Sequence, residues 1–287
     1  MGKEMFEVIW DALLDALIDG VKLLPFLFLT YLAMEWLEHK AGEKVNGWVR
    51  KSGKVGPLVG GVLGVVPQCG FSAAASNFYA GRVITLGTLL AIYLSTSDEM
   101  LPILLSEHVA PLLILKILGC KMGIGIAAGF LVDLIYRRKQ PEHEHIHEIC
   151  EHDHCKCEKS IWKSALVHTI KIALFILLIA FGLNLVLELG GEKVLSGFLA
   201  GRTVLGPVLA GLVGLIPNCA SSVVITQLYL EGTMGFGAML SGLLVNAGVG
   251  LLILFRVNHS RKENFTVLGL LYAIGVFSGI VLSIIAG

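Results

Sequence analysis

The stretch VVPQCGFSAAASNFY at residues 65–79 places a proline, an amide and a cysteine in the middle of an apolar run. The stretch LIPNCASSVVITQLY at residues 215–229 does the same 150 positions later, counted from Cys69 to Cys219. Proline lacks the backbone N–H that a helix interior needs, so each run is expected to interrupt its own helix. This repeated interruption decides the predicted fold.

The composition is typical of a membrane protein that crosses the bilayer several times. Of the 287 residues, 55% are hydrophobic and 15% are charged, whereas soluble domains carry about a quarter charged residues. The mean hydropathy is +0.78. The net charge is zero, which gives no reason to expect a nucleic-acid partner. The acidic residues 1–20 lack the basic region of a signal peptide, so we expect none to be cleaved.

Apolar runs of membrane-spanning length, about 20 residues, recur along the chain. The predicted spans are residues 18–37, 83–105, 110–136, 164–188, 233–255 and 265–286. Between them lie two glycine-rich segments, 56–81 and 206–231, that contain the proline breaks. Residues 5–20 carry aspartates at every fourth position, which predicts an amphipathic lead-in to the first span.

The two interrupted segments form an internal repeat. At an offset of 150, the twenty-four pairs from Gly56/Gly206 to Tyr79/Tyr229 include eight identities, with prolines, cysteines and tyrosines matched without a gap. Shared glycine-rich composition is the alternative explanation, but it does not place these rarer residue types in register. Internal repeats of this kind are common in transporters.

The basic residues bear on whether the interrupted segments cross the membrane or turn back. They cluster around residues 40–54, at Arg82, around 137–139 and around 256–262. The positive-inside rule asks for all of these loops in the cytoplasm. A re-entrant hairpin at 56–81, which dips from the cytoplasm and returns, meets the rule everywhere. A pair of full spans kinked at proline is the alternative.

The predicted fold is an all-α integral membrane protein with two inverted repeats, each of three spans plus one re-entrant helical hairpin. Residues 1–136 form the first repeat with hairpin 56–81, and residues 164–287 form the second with hairpin 206–231. Three crossings per half, an odd number, make the halves inverted. Residues 137–163 form a cytoplasmic loop between the repeats.

The hairpin tips are the first candidate site. An arm of about 10 residues rises about 15 Å, half of a hydrocarbon core of about 30 Å, so the two tips are expected to meet near the midplane. Thiolates suit thiophilic metals and metalloids, and amide and hydroxyl oxygens add harder ligands. The candidate substrate ligands at the tips are Gln68, Cys69, Ser72, Asn218, Cys219 and Ser222. The alternatives are cysteines that act as small apolar residues and serines that cap the half-helices.

The stretch YLSTSDEM at residues 93–100 adds acids to a predicted span. Acidic residues at membrane depth are costly and usually functional. The run of hydroxyl residues predicts local unwinding, so further candidate ligands are Ser95, Ser97, Asp98, Glu99 and, in the corresponding stretch of the second half, Asn246. Asp98 and Glu99 are candidates for proton coupling, with Lys121 as a candidate counter-ion. Alternatively, the span ends near Ser97 and the acids lie at the outer interface.

The polar loop has the most distinctive composition in the chain, PEHEHIHEICEHDHCKCEK at residues 141–159. Histidine and cysteine tracts bind transition metals. The candidate metal ligands are His143, His145, His147, Cys150, His152, His154, Cys155 and Cys157. No fixed zinc-finger spacing is present, so the loop is predicted to capture metal as a flexible arm. A solvated, histidine-rich linker is the alternative.

Taken together, the PQCG and PNCA breaks, the STSDE span, the first span LLPFLFLTYLAMEWLEH and the histidine-rich loop resemble a known family. It is the ten-transmembrane heavy-metal exporter family, whose members are also labelled arsenic efflux proteins or manganese transporters. The resemblance implies export of a metal or metalloid. Its ten segments match three spans plus two hairpin arms in each half.

The predicted function is that of a membrane transporter, most simply an exporter, of heavy-metal or metalloid ions by alternating access. We expect no enzymatic activity and no required cofactor, with the ion as substrate and the lipid bilayer of the plasma membrane as environment. A homodimer is one candidate assembly. Transport of small organic anions or organoarsenicals is the alternative, and an intramembrane metalloenzyme or a channel is less favoured.

Overall fold

A computed structural model describes most of the predicted membrane region. The described residues are 10, 13–14, 17–18, 21, 24–25, 27–29, 31–32, 55–66, 69–97, 99–136, 161–186 and 205–286. Every regular element in these ranges is an α-helix, which confirms the all-helical prediction. Gln68, Asp98, the side chains of Cys69 and Cys219, and the predicted metal ligands of the loop lie outside the described residues.

Eleven helices are defined in the described ranges from residue 55 onward. The first five are α1 (Gly56–Gly64), α2 (Cys69–Ala80), α3 (Leu86–Ser95), α4 (Met100–Ser106) and α5 (Pro111–Tyr136). The remaining six are α6 (Ile161–Val186), α7 (Leu205–Gly214), α8 (Cys219–Leu230), α9 (Phe236–Val245), α10 (Gly250–Val257) and α11 (Arg261–Ala286). The described positions between 10 and 32 are helical as well.

Four stretches in the described ranges are long and apolar enough to cross a membrane. They are Leu86–Ser106, Pro111–Tyr136, Phe236–Val257 and Arg261–Ile285. They confirm four of the predicted spans within a few residues. The first and third stretches each consist of two helices, α3 with α4 and α9 with α10. The described residues between them, 96, 97 and 99 in the first stretch and 246–249 in the third, are non-helical. Two spans are therefore interrupted near their middle.

The helix pattern recurs along the chain at the offset of 150. Helices α2 and α8 begin at Cys69 and Cys219, and α5 and α11 end at Tyr136 and Ala286. Helices α3 and α9, and α4 and α10, begin at the same offset. The recurrence predicted over residues 56–79 therefore extends over five consecutive helices.

Small residues bring the first arm of each interrupted segment against the span of its own half. A Cβ added at Gly64 of α1 would overlap Ser95 at the end of α3, and Gly56 lies against Thr88 near the start of α3. Helices α1 and α3 therefore run in the same direction. In the second half, a Cβ at Gly214 of α7 would overlap the Gly242 carbonyl of α9. Close backbone approach through glycine is a common way for membrane helices to pack.

The second arm of each segment packs on the opposite half. Helix α2 lies against α10, and α8 lies against α4. The contact is tight at Gly250, where an added Cβ would lie 2.8 Å from Ser72 Cβ and 3.0 Å from the Ser72 backbone. The two halves therefore interlock, because each supplies a helix to the interrupted span of the other.

The N-terminal segment and α6 pack beside this core. Leu27 and Tyr31 are buried in a cluster with Ala73 of α2, Ile172 of α6 and Ile253 of α10. The Tyr31 hydroxyl donates to Asn77 Oδ1 at 3.1 Å. These contacts fix the first predicted span against α2. Most of the predicted lead-in at 5–20 lies outside the described residues.

Candidate functional site

The helix ends on either side of the four interruptions pack against one another. They lie between α1 and α2, α3 and α4, α7 and α8, and α9 and α10. Gly64 rests on Ser95, which joins the first two breaks, and Gly214 rests on Gly242, which joins the last two. The contact of Ser72 with Gly250, and the packing of α8 on α4, join the breaks of opposite halves. The described residues that flank the four breaks therefore lie close to one another.

The break at 96–99 ends α3 with a run of hydroxyl groups. Ser95 Oγ donates to the Ala91 carbonyl at 2.7 Å, and Thr96 Oγ1 donates to the Ile92 carbonyl at 2.7 Å. Ser97 is also buried. The Ile92 carbonyl also accepts from the Thr96 N–H at 3.0 Å, so the Thr96 hydroxyl adds a second donor to that carbonyl. The predicted unwinding is confirmed, and helical structure resumes in α4 at Met100.

The matching break at 246–249 is organised by an amide. Asn246 is buried, and its Oδ1 accepts from the Gly248 N–H at 2.9 Å. Gly248 has a φ of 53°, a left-handed conformation that glycine adopts without steric cost. Asn246 thus forms the turn that lets the chain leave α9 and enter α10. Glu99 is half-buried at the equivalent turn of the first half, immediately before α4.

Lys121 brings a positive charge to the second break. It lies on α5 with 1% of its surface exposed, and its Nζ donates to the Leu243 carbonyl at 2.6 Å. Leu243 is in the last turn of α9, where carbonyls lack intrahelical donors and the helix dipole favours a cation. The predicted pairing with Asp98 or Glu99 remains a prediction, since Asp98 lies outside the described residues. The hydropathy of the sequence could not predict that Lys121 donates to a backbone carbonyl of the other half.

The tip of the second interrupted segment is buried. Asn218 precedes α8 with extended backbone, and the Ser221 hydroxyl donates to its carbonyl at 2.7 Å. Ser222 is buried one residue later, and its carbonyl accepts from Thr226 Oγ1 at 2.7 Å. Cys219 is the first residue of α8. Three of the predicted polar tip residues, Ser72, Asn218 and Ser222, are therefore buried beside helix starts.

A hydroxyl cluster that sequence reasoning did not single out ties the first tip to the second half. Ser76 Oγ lies 2.7 Å from the Tyr93 hydroxyl, 2.7 Å from the Ser72 carbonyl and 2.7 Å from the Gly250 carbonyl. Both side chains are fully buried. The one sequence feature that could have predicted this cluster is the spacing of Ser76 four residues after Ser72, which recurs as Thr226 four residues after Ser222. The cluster connects α2, α3 and α10 at the region where the breaks meet.

Charged groups mark one end of the helical bundle. Arg82, in the loop after α2, donates from Nη1 and Nη2 to the Glu263 carboxylate at 2.9 and 3.1 Å. Asp133, near the end of α5, accepts from the Gly87 N–H at 2.8 Å and from Thr85 Oγ1 at 2.6 Å. The start of α3, the end of α5 and the start of α11 therefore lie at the same end. At the other end, Lys116 Nζ lies 5.0 Å from the centre of the Phe236 ring.

A family model covers most of this architecture. The family described as "Putative, 10TM heavy-metal exporter" matches residues 4–189. The chain belongs to this family. The match spans α1 to α6 and the polar loop, and it confirms the resemblance read from the breaks and the loop. Neither the comparison with curated proteins nor the comparison with solved structures finds a match.

Membership in the heavy-metal exporter family fits a membrane transporter rather than an enzyme, with a metal as its substrate. Within the described ranges, no group of three or more histidine, cysteine, aspartate or glutamate residues is placed to hold a metal ion. The described part of the site instead offers backbone carbonyls, hydroxyls and the amides of Asn218 and Asn246. The predicted thiol ligands and the loop ligands stay predictions.

Proposed function

We propose that this protein exports heavy-metal or metalloid ions across the plasma membrane by alternating access, with the ion held where the four breaks meet. The observation that carries the proposal is that the residues flanking those breaks pack together and include buried hydroxyl and amide groups. Non-helical backbone at membrane depth is tolerated only where it is buried in protein or lines an aqueous cavity. Broken helices are a common way to build such transport sites.

The directions of the helices support an inverted arrangement. Helix α3 begins at the end of the bundle that contains Arg82, whereas α10 finishes close to that end, because α11 begins there with Glu263. The spans α3–α4 and α9–α10 would therefore cross in opposite directions. Helix α1 runs alongside α3, and α2 returns to the loop that precedes α3, which is the path of a re-entrant hairpin.

The distribution of basic residues supports an orientation. Arg82, Arg261 and Lys262 lie at the end that also holds the end of α5, after which Arg137, Arg138 and Lys139 follow in the sequence. The positive-inside rule places this end in the cytoplasm, together with the histidine-rich loop. In the proposed mechanism the loop captures metal at the cytoplasmic entrance and the breaks receive it.

The chemistry of the breaks suits a cation with soft ligands. The ends of α3 and α9 direct carbonyl oxygens toward the region, and thiolates of Cys69 and Cys219 would add soft donors beside Ser72 and Ser222. The remaining proposed ligands are Gln68, Ser95, Ser97, Asp98, Glu99, Asn218 and Asn246. Asp98 and Glu99 would carry the coupling proton. The proposed site is therefore richest in acidic groups on the side of the first half.

The starts of α2 and α10 favour a second candidate substrate, a small organic anion or an organoarsenical. These helix starts lie against each other at Ser72 and Gly250, and a helix start favours negative charge. In this version the anion would occupy the same region of converging breaks.

Transport by purified protein in liposomes tests the proposal. A panel of Mn²⁺, Zn²⁺, Co²⁺, arsenite and an organoarsenical, each offered with and without a pH gradient, should show saturable movement of at least one member. Arsenite or a divalent metal would support the first candidate, and the organoarsenical alone would support the second. Absence of protein-dependent flux for every member would contradict both, and flux linear in concentration would indicate a channel.

A further inference from the structure

We propose that the Arg82–Glu263 ion pair is a gate at one end of the transporter, which must open before the substrate passes that end. The inference rests on the alternating-access function proposed above. The pair joins the loop after α2 in the first half to the first turn of α11 in the second half. It therefore bridges the two parts that alternating access has to move relative to each other.

The pair is held by several contacts on each side. Both terminal nitrogens of Arg82 contact the two oxygens of Glu263, the two-pronged geometry that gives such pairs their directionality. The Tyr79 hydroxyl and Asn258 Nδ2 each lie 3.4 Å from Glu263 Oε2. The guanidinium also lies 5.8 Å from the centre of the Tyr79 ring. Residues from α2, α11 and the turn between α10 and α11 therefore meet at one carboxylate.

The exposure of the pair fits a contact that opens and closes. The two side chains are 37% and 35% exposed, so water reaches both charges. A fully buried pair would leave an uncompensated charge when it separates, which costs several kcal/mol, whereas separation of a partly exposed pair costs little. The free-energy cost of opening this gate is therefore small.

The backbone conformation at Arg82 favours glycine, which indicates that the arginine side chain has a role at this position. Arg82 has a φ of 57°, a left-handed conformation that is uncommon for residues other than glycine. The matching turn of the second half has the same conformation at Gly232, with a φ of 73°. Both halves thus contain the turn, but only the first half has a positively charged residue there.

The repeat makes the gate one-sided. At the offset of 150, Arg82 corresponds to Gly232 and Glu263 corresponds to Leu113, so the matched positions of the repeat cannot form the same ion pair. The Lys116–Phe236 contact lies at that end, and it is a cation–ring contact rather than an ion pair. The resting protein is therefore biased toward closure at the Arg82 end and opening at the other end.

Thiol accessibility from each face tests the gate without any transport assay. The reporter is Ala247→Cys, a buried position in the break between α9 and α10. It is labelled with a membrane-impermeant maleimide in vesicles of either orientation and read by peptide mass spectrometry. Arg82→Gly and Glu263→Gln should each raise the labelling rate from the Arg82 face about three- to fivefold, the range expected for loss of a partly exposed pair. Labelling from the opposite face should fall or stay constant.

The controls separate gating from loosening of the fold. Arg82→Gly suits the left-handed turn, since Gly232 already occupies its counterpart, and Lys262→Gln removes a neighbouring exposed charge outside the pair. Lys262→Gln should leave both rates unchanged, and the exchange Arg82→Glu with Glu263→Arg should restore closure. Unchanged labelling in both single variants, or an equal rise from both faces, would overturn the gate. One-sided labelling in a protein that moves no panel substrate would uphold the gate and refute the metal function.

Discussion

The two halves of the chain share one scaffold and differ in their charges. Gly129 packs against the Gly87 carbonyl in the first half, and Gly279 packs against the Gly237 carbonyl in the second, each with an added Cβ 2.6 Å from the oxygen. The ionisable side chains do not recur in this way. The first half has Arg82, Lys121 and Asp133 where the second half has Gly232, Leu271 and Ser283.

This difference indicates which parts of the repeat carry architecture and which carry chemistry. Close backbone packing has to be satisfied in both halves, because each half builds the same set of helix contacts. The region where the halves meet is shared, so a charged group supplied by one half is available to both. Duplication of the charge would add desolvation cost without adding a new contact. The substitutions below compare matched positions of the two halves.

The largest effect is expected from the two cysteines that the halves have in common. Cys69→Ala combined with Cys219→Ala should reduce transport of a thiophilic substrate such as arsenite to background, because both soft ligands are lost. Efflux from vesicles measures the result, and the two single variants show whether the halves contribute equally. Undiminished arsenite efflux in the double variant would remove thiolates from the mechanism.

Substitutions at Lys121 and at its counterpart Leu271 compare the two halves at one matched buried position. Lys121→Met removes the donor to the Leu243 carbonyl and should lower the free energy of unfolding by about 1–3 kcal/mol. Leu271→Met conserves volume and should cost less than about 1.5 kcal/mol. Thermal unfolding in detergent ranks the two variants. Equal losses would show that packing, rather than the donated hydrogen bond, decides stability at this level of the bundle.

The contact between the halves is tested at Gly250. Gly250→Ala would press a methyl group on the Ser72 backbone and should destabilise the protein by about 1–3 kcal/mol. Gly119→Ala on α5 is the matched control, since an added Cβ there meets nothing within 4 Å. That control should be neutral or stabilising by up to about 1 kcal/mol. Similar unfolding temperatures for both variants would argue that α2 and α10 do not pack closely.

The smallest effect is expected from the segment that separates the halves. Deletion of Glu142 to Glu158 should weaken the apparent metal affinity about three- to tenfold and leave the maximal transport rate intact, because the loop concentrates metal near the entrance without forming the site. Vesicle uptake across a range of metal concentrations measures both quantities. Failure of the shortened chain to assemble would show that the loop links the halves structurally.

The sequence predicts the scaffold well because the scaffold depends on local patterns. Apolar run lengths located the four spans confirmed above, and the proline–amide–cysteine break at Cys69 and Cys219 located the repeat. The hydroxyl run before Met100 located the break in the third helix, since hydroxyls compete for helical carbonyls. Each of these signals lies within a single stretch of about twenty residues.

The partners of the polar side chains could not be predicted in the same way. The acceptor of Lys121 is a carbonyl of the opposite half, and Ser76 reaches across to Gly250. The Arg82–Glu263 pair joins residues 181 positions apart. Such contacts depend on how α2 crosses between the halves, and no periodicity in the sequence encodes that crossing.

The crossed packing of α2 has a consequence for biosynthesis. Helix α2 is complete at Ala80, but the helix that covers it starts at Gly250, 170 residues later. At a synthesis rate of about 5–20 residues per second, the nascent first half waits roughly 8 to 34 s for that cover. During this interval lipid or the insertion machinery has to shield α2, so a chain truncated before Gly250 is expected to be degraded rather than to accumulate in the membrane.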